Sequence, residues 1–417
     1  MVQGISPGNL LSESPSVKFV RFDPKPCGFP KPRISPLPNT PLFPSPSTWL
    51  CRSIPRRASR HFRHFSRGRY ALGEAYRLAG LNREGVLLAP AYHCVTMLDP
   101  AMALEAEVHL YHLQADLSPD LDALEKLLAS IKKPVKALLA THYFGIAKDF
   151  SRLKAFCVNR EITLIEDCSH VLFTEHFRAA GTGSYGHFVV SSPYKFFACD
   201  DGGLLYTPED HLLDRVKTVP ATPVEELRGI KHAWEKSRSA RITIGDISSI
   251  DLRLESLSAC PVVPGNDEIE ERSAPSALFS GALAHRESLR CSRLIVDQAS
   301  ITDNMRRRRE NYHRWLEAVT RISNCQALFS DLPEHASPYM FPLYIAHPDP
   351  HFYWLKHLGV PIWRWDEMAD SNCRISQDYR LHLLHLPCHQ ALTSNQLEWM
   401  IAALDKTLNR FSAKGFQ

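Results

Sequence analysis

Between Val86 and Asp167, short apolar runs alternate with stretches of helical spacing, and no other feature of the chain narrows its fold as much. Val86-Leu87-Leu88-Ala89-Pro90 and Val135-Lys136-Ala137-Leu138-Leu139-Ala140-Thr141 are apolar almost throughout. Ile162-Thr163-Leu164-Ile165 is similar before it ends in Glu166-Asp167. Strands apolar at successive positions are buried on both faces, the condition of a parallel sheet covered by helices. Ala106 to Tyr111 alternates as a strand does. The stretches between supply the covers. Val95 to Leu104 reads as a helix despite Pro100, and so does Asp149 to Asn159. Ser118-Pro119 opens another that runs to about Ile131, with proline in its first turn. Upstream, apolar residues at 71, 72, 75, 78 and 79 make one helical face that Gly80 stops. The expectation is a large α/β domain, a mostly parallel sheet sandwiched by helices.

The rest of the chain divides around that unit. Residues 1–55 are proline-rich from Pro24 to Pro46, and proline at this density removes donors from helix and ladder alike. They are expected to form an extended or disordered arm, lying on a partner subunit. The large domain is expected over 56–275, with loops from 207 onward marked by Pro220, Pro223, Pro261 and Pro264. Residues 276–417 read as a long helical connection and a small α+β domain. The latter holds a strand at Tyr339 to Ile345 and a short helix, Phe352 to Leu358, ended by Gly359. A strand and turn follow at Leu383 to Gln390, then a closing helix from Gln396 to Leu408 capped by Thr393 or Ser394. The basic run Arg306-Arg307-Arg308-Arg309 reads as a solvated helix face.

Net charge is +4, from 49 basic and 45 acidic side chains, which gives no sign of a nucleic-acid partner. The local exception is Arg56 to Arg69, rich in arginine and free of acid. Eleven cysteines with no Cys-x-x-Cys pair do not read as a disulfide framework, so a reducing compartment is expected. No stretch approaches the roughly 20 apolar residues of a membrane span. The N-terminus lacks the basic-then-apolar layout of a signal, and a cytoplasmic location is expected.

Ligands of parallel sheets bind beyond the carboxyl ends of the strands. Three polar-aromatic clusters stand there: Pro90-Ala91-Tyr92-His93, His142-Tyr143-Phe144-Gly145 and Asp167-Cys168-Ser169-His170. A further apolar run, Phe188-Val189-Val190, leads through Ser191-Ser192-Pro193-Tyr194 to Lys195. Asp200-Asp201-Gly202-Gly203 then carries the chain into Leu204-Leu205-Tyr206. A free lysine has a pKa of about 10.4, and covalent carbonyl chemistry needs it where the amine sheds its charge. Tyr194, Phe196 and Phe197 suit that. A carboxylate ending a buried strand is costly unless a cation meets it. The protonated ring nitrogen of pyridoxal phosphate is such a cation, and a carboxylate there makes the ring an electron sink. On this reading Lys195 carries the cofactor and Asp167 tunes it. Gly68-Arg69-Tyr70, opening the first helix, would meet the phosphate with a hydroxyl from Ser191 or Ser192. His93 or Tyr92 would stack on the ring, and His170 would reach the ring hydroxyl.

Each residue also has an ordinary role open to it. Asp167 suits an N-cap or a rim salt bridge, Lys195 a surface charge, Gly68 a common turn and His93 rim packing. No metal site is expected: His61-x-x-His64 lies in the arginine-rich stretch, and no His-Glu-x-x-His occurs. The absence of Gly-x-Ser-x-Gly speaks against a hydrolase.

Together these stretches resemble the DegT/DnrJ/EryC1/StrS family of pyridoxal phosphate-dependent sugar aminotransferases. Ser66 to Leu72 is similar to the family's opening phosphate-binding turn, and Leu88 to Cys94 to its next segment. His142-Tyr143-Phe144-Gly145, Ile165 to His170, Gly181 to Gly186 and Lys195 to Gly203 resemble the blocks that follow, and Leu386 to Gln390 a C-terminal turn. The resemblance implies a type I transferase fold and a homodimer with sites at the subunit interface. It implies transfer of an amino group from an amino acid, usually glutamate, to a keto-sugar that is usually nucleotide-linked, as in polysaccharide or secondary-metabolite biosynthesis. Lys195 would be the cofactor lysine and proton carrier, and Asp167 the partner of the ring nitrogen. Gly68, Arg69, Tyr70, His93, His170 and Ser192 would complete the cofactor site. Some positions depart from the family's pattern. Arg69 stands where threonine is common, Cys94 where an aromatic stacks, His170 where glutamine is common and Val190 where a serine precedes the lysine. Three other readings stay open: another type I pyridoxal phosphate reaction, a catalytically weakened or regulatory member that keeps the fold, and an anion or nucleic-acid binder built on Arg56 to Arg69.

Overall fold

The computed structural model describes residues 15–43, 60–239, 245–259 and 267–410. Strand β1 (Val17–Phe22) comes first. The large domain follows with β2 (Phe62–Phe65), α1 (Gly68–Leu78), β3 (Val86–Pro90), α2 (Asp99–Ala103) and β4 (Glu107–Tyr111). It continues with α3 (Leu121–Ser130), β5 (Val135–Thr141), α4 (Ser151–Val158), β6 (Thr163–Asp167), β7 (Phe188–Ser191) and β8 (Gly203–Tyr206). Seven of these strands form one sheet in the order β2-β8-β7-β6-β5-β3-β4. The run from β4 to β7 is parallel, and β8 and β2 close the other edge antiparallel. The expected mostly parallel α/β sheet is therefore what the chain builds.

Alternation along the strands makes two cores. Leu87, Ala89, Leu139, Ile165 and Val190 face α1 and α2, and Leu88, Leu138, Ala140 and Leu164 face α3 and α4. The helix expected over Val95 to Leu104 is split. A 3-10 turn at Val95–Met97 precedes α2, which admits Pro100 only in its first turn. α3 starts later than expected, because the Asp120 carboxylate accepts the Ala123 N–H at 3.0 Å and fixes its N-cap.

The stretch read as loops holds α5 (Asp210–Leu213), α6 (Pro223–Ser239), α7 (Ser249–Ala259) and β9 (Asp267–Arg272). Pro223 opens α6 rather than excluding it, as proline in a first helical turn does. Pro261 and Pro264 lie outside the described residues. Next come α8 (Arg290–Gln298), α9 (Ile301–Val319), β10 (Cys325–Ala327), β11 (Met340–Ile345) and α10 (Pro348–Leu358). The chain ends with β12 (Glu367–Ala369), α11 (Arg374–His382), β13 (Leu383–Pro387) and α12 (Ser394–Leu408). The antiparallel sheet β10-β11-β13 packs under α9 and α12 around Trp315, Phe341, Leu386 and Met400. Thr393 caps α12 in a reciprocal box with Gln396.

Two expectations need correction. The described part of the N-terminal arm is ordered: β1 lies between β12 and β9, antiparallel to both. Its Phe19 is 0% exposed in the large domain's core, and Phe22 packs in the C-terminal core. Residues 16–23, between Pro15 and Pro24, hold no proline, so nothing prevents this alternating run from pairing. Pro44, Pro46 and Arg56 lie outside the described residues. The basic run is not a uniformly solvated face either. Arg306 and Arg307 are exposed, but Arg308 is fully buried on the side of α9 that carries Asn304, Tyr312 and Trp315. A run of like charges hides the helical period that places one of its members inside. Among the described residues no helix is long and apolar enough to cross a membrane.

Candidate active site

The carboxyl ends of β3, β5 and β6 bring the three polar-aromatic clusters onto one rim. Tyr143 Oη donates to the Tyr92 carbonyl at 2.6 Å, and the Phe144 ring lies 5.9 Å from His170. Gly145 has φ +97°, and a Cβ there would meet the Ser337 carbonyl at 2.3 Å and the Tyr339 nitrogen at 2.6 Å. Only glycine lets the 337–339 segment pass so close. The Tyr339 N–H donates to the Phe144 carbonyl at 3.0 Å, and its ring then lies 4.4 Å from His170 at 31°. The C-terminal domain adds two more groups. Trp365 stands 4.6 Å from Tyr92, and His385 on β13 meets the Tyr92 hydroxyl at 2.9 Å.

Lys195 enters this aromatic wall from the end of β7. A 3-10 turn at Pro193–Lys195 closes with the Lys195 N–H on the Ser192 carbonyl at 3.0 Å. The Lys195 Nζ lies 5.4 Å from the centre of the Tyr339 ring. Burial pushes His170 well below the ordinary histidine value, with Lys195 and His385 adding to the shift. Burial and the Lys195 charge hold His385 down to about 3. Both imidazoles are thus neutral at neutral pH. His170 Nδ1 and Thr141 Oγ1 are buried with no hydrogen-bond partner among the described residues.

Asp167 ends β6 opposite Val190 of β7, at 2% exposure, and its Oδ1 accepts the Ser169 N–H at 2.8 Å. The Ser192 hydroxyl donates to Ser169 Oγ at 3.1 Å. Both hydroxyls face the start of α1, which no side chain caps. A Cβ on Gly68 would stand 2.1 Å from Ser192 Oγ and 3.5 Å from Ser169 Oγ. Gly203 is as tightly placed, 2.2 Å from the Arg67 carbonyl for an added Cβ. The Asp-Gly-Gly stretch therefore braces the turn before α1. The Gly202 N–H donates to the Ser66 carbonyl at 2.9 Å, and Asp201 accepts the Leu289 N–H at 3.0 Å.

Not every residue singled out from the sequence faces this cradle. His93 is committed elsewhere: Nδ1 donates to the Pro90 and Ala91 carbonyls, and Nε2 accepts the Ala369 N–H at 3.0 Å. Burial holds it down to about 4. Arg69 donates to the Leu278 carbonyl, and Tyr70 packs 5.4 Å from Phe279. Arg67 is the arginine on the lysine side, donating to the Asp200 carbonyl at 2.8 Å and covering the Tyr194 ring. Ser191 turns the other way, onto the Phe173 carbonyl at 2.9 Å.

His142, Glu166 and Cys168 bring ligand-type atoms within 4.8 Å of one another. Glu166 is already taken up, however. It accepts the Gly183, Tyr185 and Gly186 amides and His142 Nε2, while His142 Nδ1 accepts the Lys148 N–H. Burial alone would push Glu166 up, but these donors outweigh it and hold the carboxyl below its ordinary value. This is a hydrogen-bond hub beneath the rim.

The model of the DegT/DnrJ/EryC1/StrS aminotransferase family matches residues 59–262, which include β3, β5, β6 and the lysine turn. The match takes in nearly half of the chain, from before β2 to past α7. A curated relative, GDP-perosamine synthase of Vibrio cholerae, is 25% identical over 166 residues, covering 37% of this chain and 42% of that protein. The match thus spans less than half of that relative's length. The solved aminotransferase TlmJ of Streptoalloteichus hindustanus superposes with a TM-score of 0.58 at 18% identity, over 89% of this chain and 93% of its own. PseC of Helicobacter pylori, an aminotransferase involved in the biosynthesis of pseudoaminic acid, gives 0.59 at 14% identity, over 90% of this chain and 100% of its own. At these identities the structures show the fold, that of the type I aminotransferases.

Proposed function

We propose that the chain binds pyridoxal phosphate on Lys195 and moves an amino group from an amino acid, with glutamate as the expected donor, to a keto-sugar carried on a nucleotide. One observation carries the reading. A lysine, a buried carboxylate and the uncapped start of α1 converge on one rim of this family's fold.

The residues present fit the cofactor. The cradle at Gly68 is bare of side chain and flanked by the Ser169 and Ser192 hydroxyls, which suits a phosphate at a helix N-terminus. Asp167 is buried, so a cation beside it offsets the cost of its burial. His170 Nδ1 is a buried imidazole nitrogen with no partner among the described residues, suited to a ring hydroxyl. When bound, the cofactor supplies an electron sink for the carbon that bears the transferred amine.

The chain's own groups do the remaining work. Asp167 holds the proton on the ring nitrogen. The Gly68 turn, Ser169 and Ser192 hold the phosphate. Lys195 Nζ takes the proton from the donor's α-carbon and returns it as general acid/base. His170 and His385, both neutral, leave that amine free of a competing proton donor of full charge. Tyr339 and Trp365 wall the site and exclude water from it.

The second part of the proposal is a homodimer. Val224, Leu227, Ile230 and Trp234 form an apolar stripe along α6, each more than half exposed, and a stripe of this kind suits a partner surface. Reductive trapping tests the site. Borohydride treatment of the protein with pyridoxal phosphate should fix the cofactor on the peptide containing Lys195. Lys195→Ala should abolish both trapping and turnover, and trapping on another lysine would defeat the assignment.

A further inference from the structure

Helix α9 sends a cation to the backbone of the lysine turn. Arg308 is 0% exposed, and its guanidinium donates to four carbonyls in two separate segments. Nη2 reaches the Lys195 and Phe196 carbonyls at 3.2 and 3.1 Å. Nη1 reaches those of Pro338 and Tyr339 at 3.0 and 3.3 Å. The Phe196 ring lies 4.7 Å below the guanidinium, and Gln390 Nε2 shares the Phe196 carbonyl at 2.8 Å. None of these acceptors is a carboxylate, so the charge is buried without a counter-ion among them.

A buried cation paired only with carbonyls is poor value as stability, because apolar side chains of the same volume often do as well or better. What the fork does that an apolar side chain cannot is tie two segments together. One segment carries Lys195. The other carries Tyr339, whose ring centre lies 5.4 Å from the Lys195 amine and 4.4 Å from the His170 ring. A lysine in place of Arg308 would be a point charge without the planar fork that spans both segments.

We propose that Arg308 is a positioning residue: it sets the lysine turn and the Tyr339 segment in register, so that the Lys195 amine is aimed along the cofactor rim. The proposal rests on the reading of Lys195 as the cofactor lysine. It assigns a task to a side chain that the sequence pattern placed on a solvated face.

The test uses Arg308→Ala and Arg308→Lys in the full chain, with two readouts. The first is hydrogen exchange of the protein without cofactor. Both variants should exchange faster at the amides of residues 195–197 and at Tyr339, with α1 and β6 unchanged. The second is borohydride trapping of pyridoxal phosphate on Lys195, followed by turnover. Trapping and kcat should fall by one to two orders of magnitude while the KM of the donor changes little. Sub-denaturing guanidinium should restore both to Arg308→Ala, and Arg308→Lys should stay impaired. Wild-type trapping in both variants overturns the proposal. So does a loss that guanidinium does not recover, or faster exchange spread over the whole chain, since a plain core defect gives those results. If the wild-type protein itself captures no cofactor, the functional reading fails, while the exchange pattern still decides the role of Arg308.

Discussion

Gly68→Ala separates holding the fold from holding a phosphate, because the two costs fall in different places. The new Cβ would stand 2.1 Å from Ser192 Oγ, and its next neighbours are the Ser191 carbonyl at 3.4 Å and Ser169 Oγ at 3.5 Å. Only the Ser192 side chain has to move. Rotating it gives up the hydrogen bond to Ser169, which costs about 1 kcal/mol. Alanine in the first turn of α1 regains roughly 0.5–1 kcal/mol over glycine. Stability should therefore stay within about 1 kcal/mol of wild type. The cradle fares worse, since the Cβ fills it and the hydroxyl has turned away. Loss of one charge-assisted hydrogen bond, about 1.5–3 kcal/mol, weakens cofactor binding roughly ten- to a hundredfold. Urea unfolding without cofactor and absorbance titration with pyridoxal phosphate read the two costs separately. In the pair Gly68→Ala with Ser192→Ala the clash is gone, so the double variant should unfold no earlier than Ser192→Ala alone. Unchanged cofactor affinity in Gly68→Ala would refute the cradle. A stability loss beyond about 3 kcal/mol would show that backbone, not Ser192, absorbs the clash.

Acid should unfold the protein through its buried neutral histidines. Burial holds His93 to about 4 and His389 to about 3, and burial with the Lys195 charge holds His385 to about 3. Each would gain a proton below about pH 6.5 once unfolded, so its contribution is complete above that pH and declines as pH falls toward the folded value. The decline approaches about 1.4 kcal/mol per histidine per pH unit, which sums to about 6 kcal/mol for the three between pH 7.5 and 5. A urea midpoint that stays flat from pH 7.5 to 5 would contradict this. Glu166→Gln should cost about 3 kcal/mol or more, since the carboxylate oxygens face the Gly183, Tyr185 and Gly186 amides and His142, and an amide group cannot accept from all of them. A thermal midpoint within a degree or two of wild type would dismiss the hub.

The sheet was legible because β3, β5 and β6 are buried on both faces and keep their apolar residues consecutive. The places of Asp167 and Lys195 on the rim were legible for a related reason: each lies at or just past the end of such a strand, where local sequence and sheet geometry agree. What could not be read lies at long range. Both ring nitrogens of His93 are taken up by backbone, because the N–H of Ala369, on β12, completes its pairing. Tyr339, Trp365 and His385 reach the rim from the C-terminal domain and carry no motif of their own. Ser169 had a local signal, two residues after Asp167, but its partnership with Ser192 depends on β6 and β7 lying side by side. α6 shows its apolar period in the sequence, yet it does not bury that face within the chain, so proline outweighed periodicity. β1 pairs with strands hundreds of residues away, and its order comes from them.

The most direct test of the account is the absorption spectrum of the purified protein with pyridoxal phosphate, before and after glutamate. The account predicts a visible band that requires Lys195, and its replacement by the near-ultraviolet band of the pyridoxamine form as the donor's amino group is taken up. A visible band that glutamate and other amino acids all leave unchanged would contradict the proposed amino transfer, and no band at all would contradict the cofactor site itself.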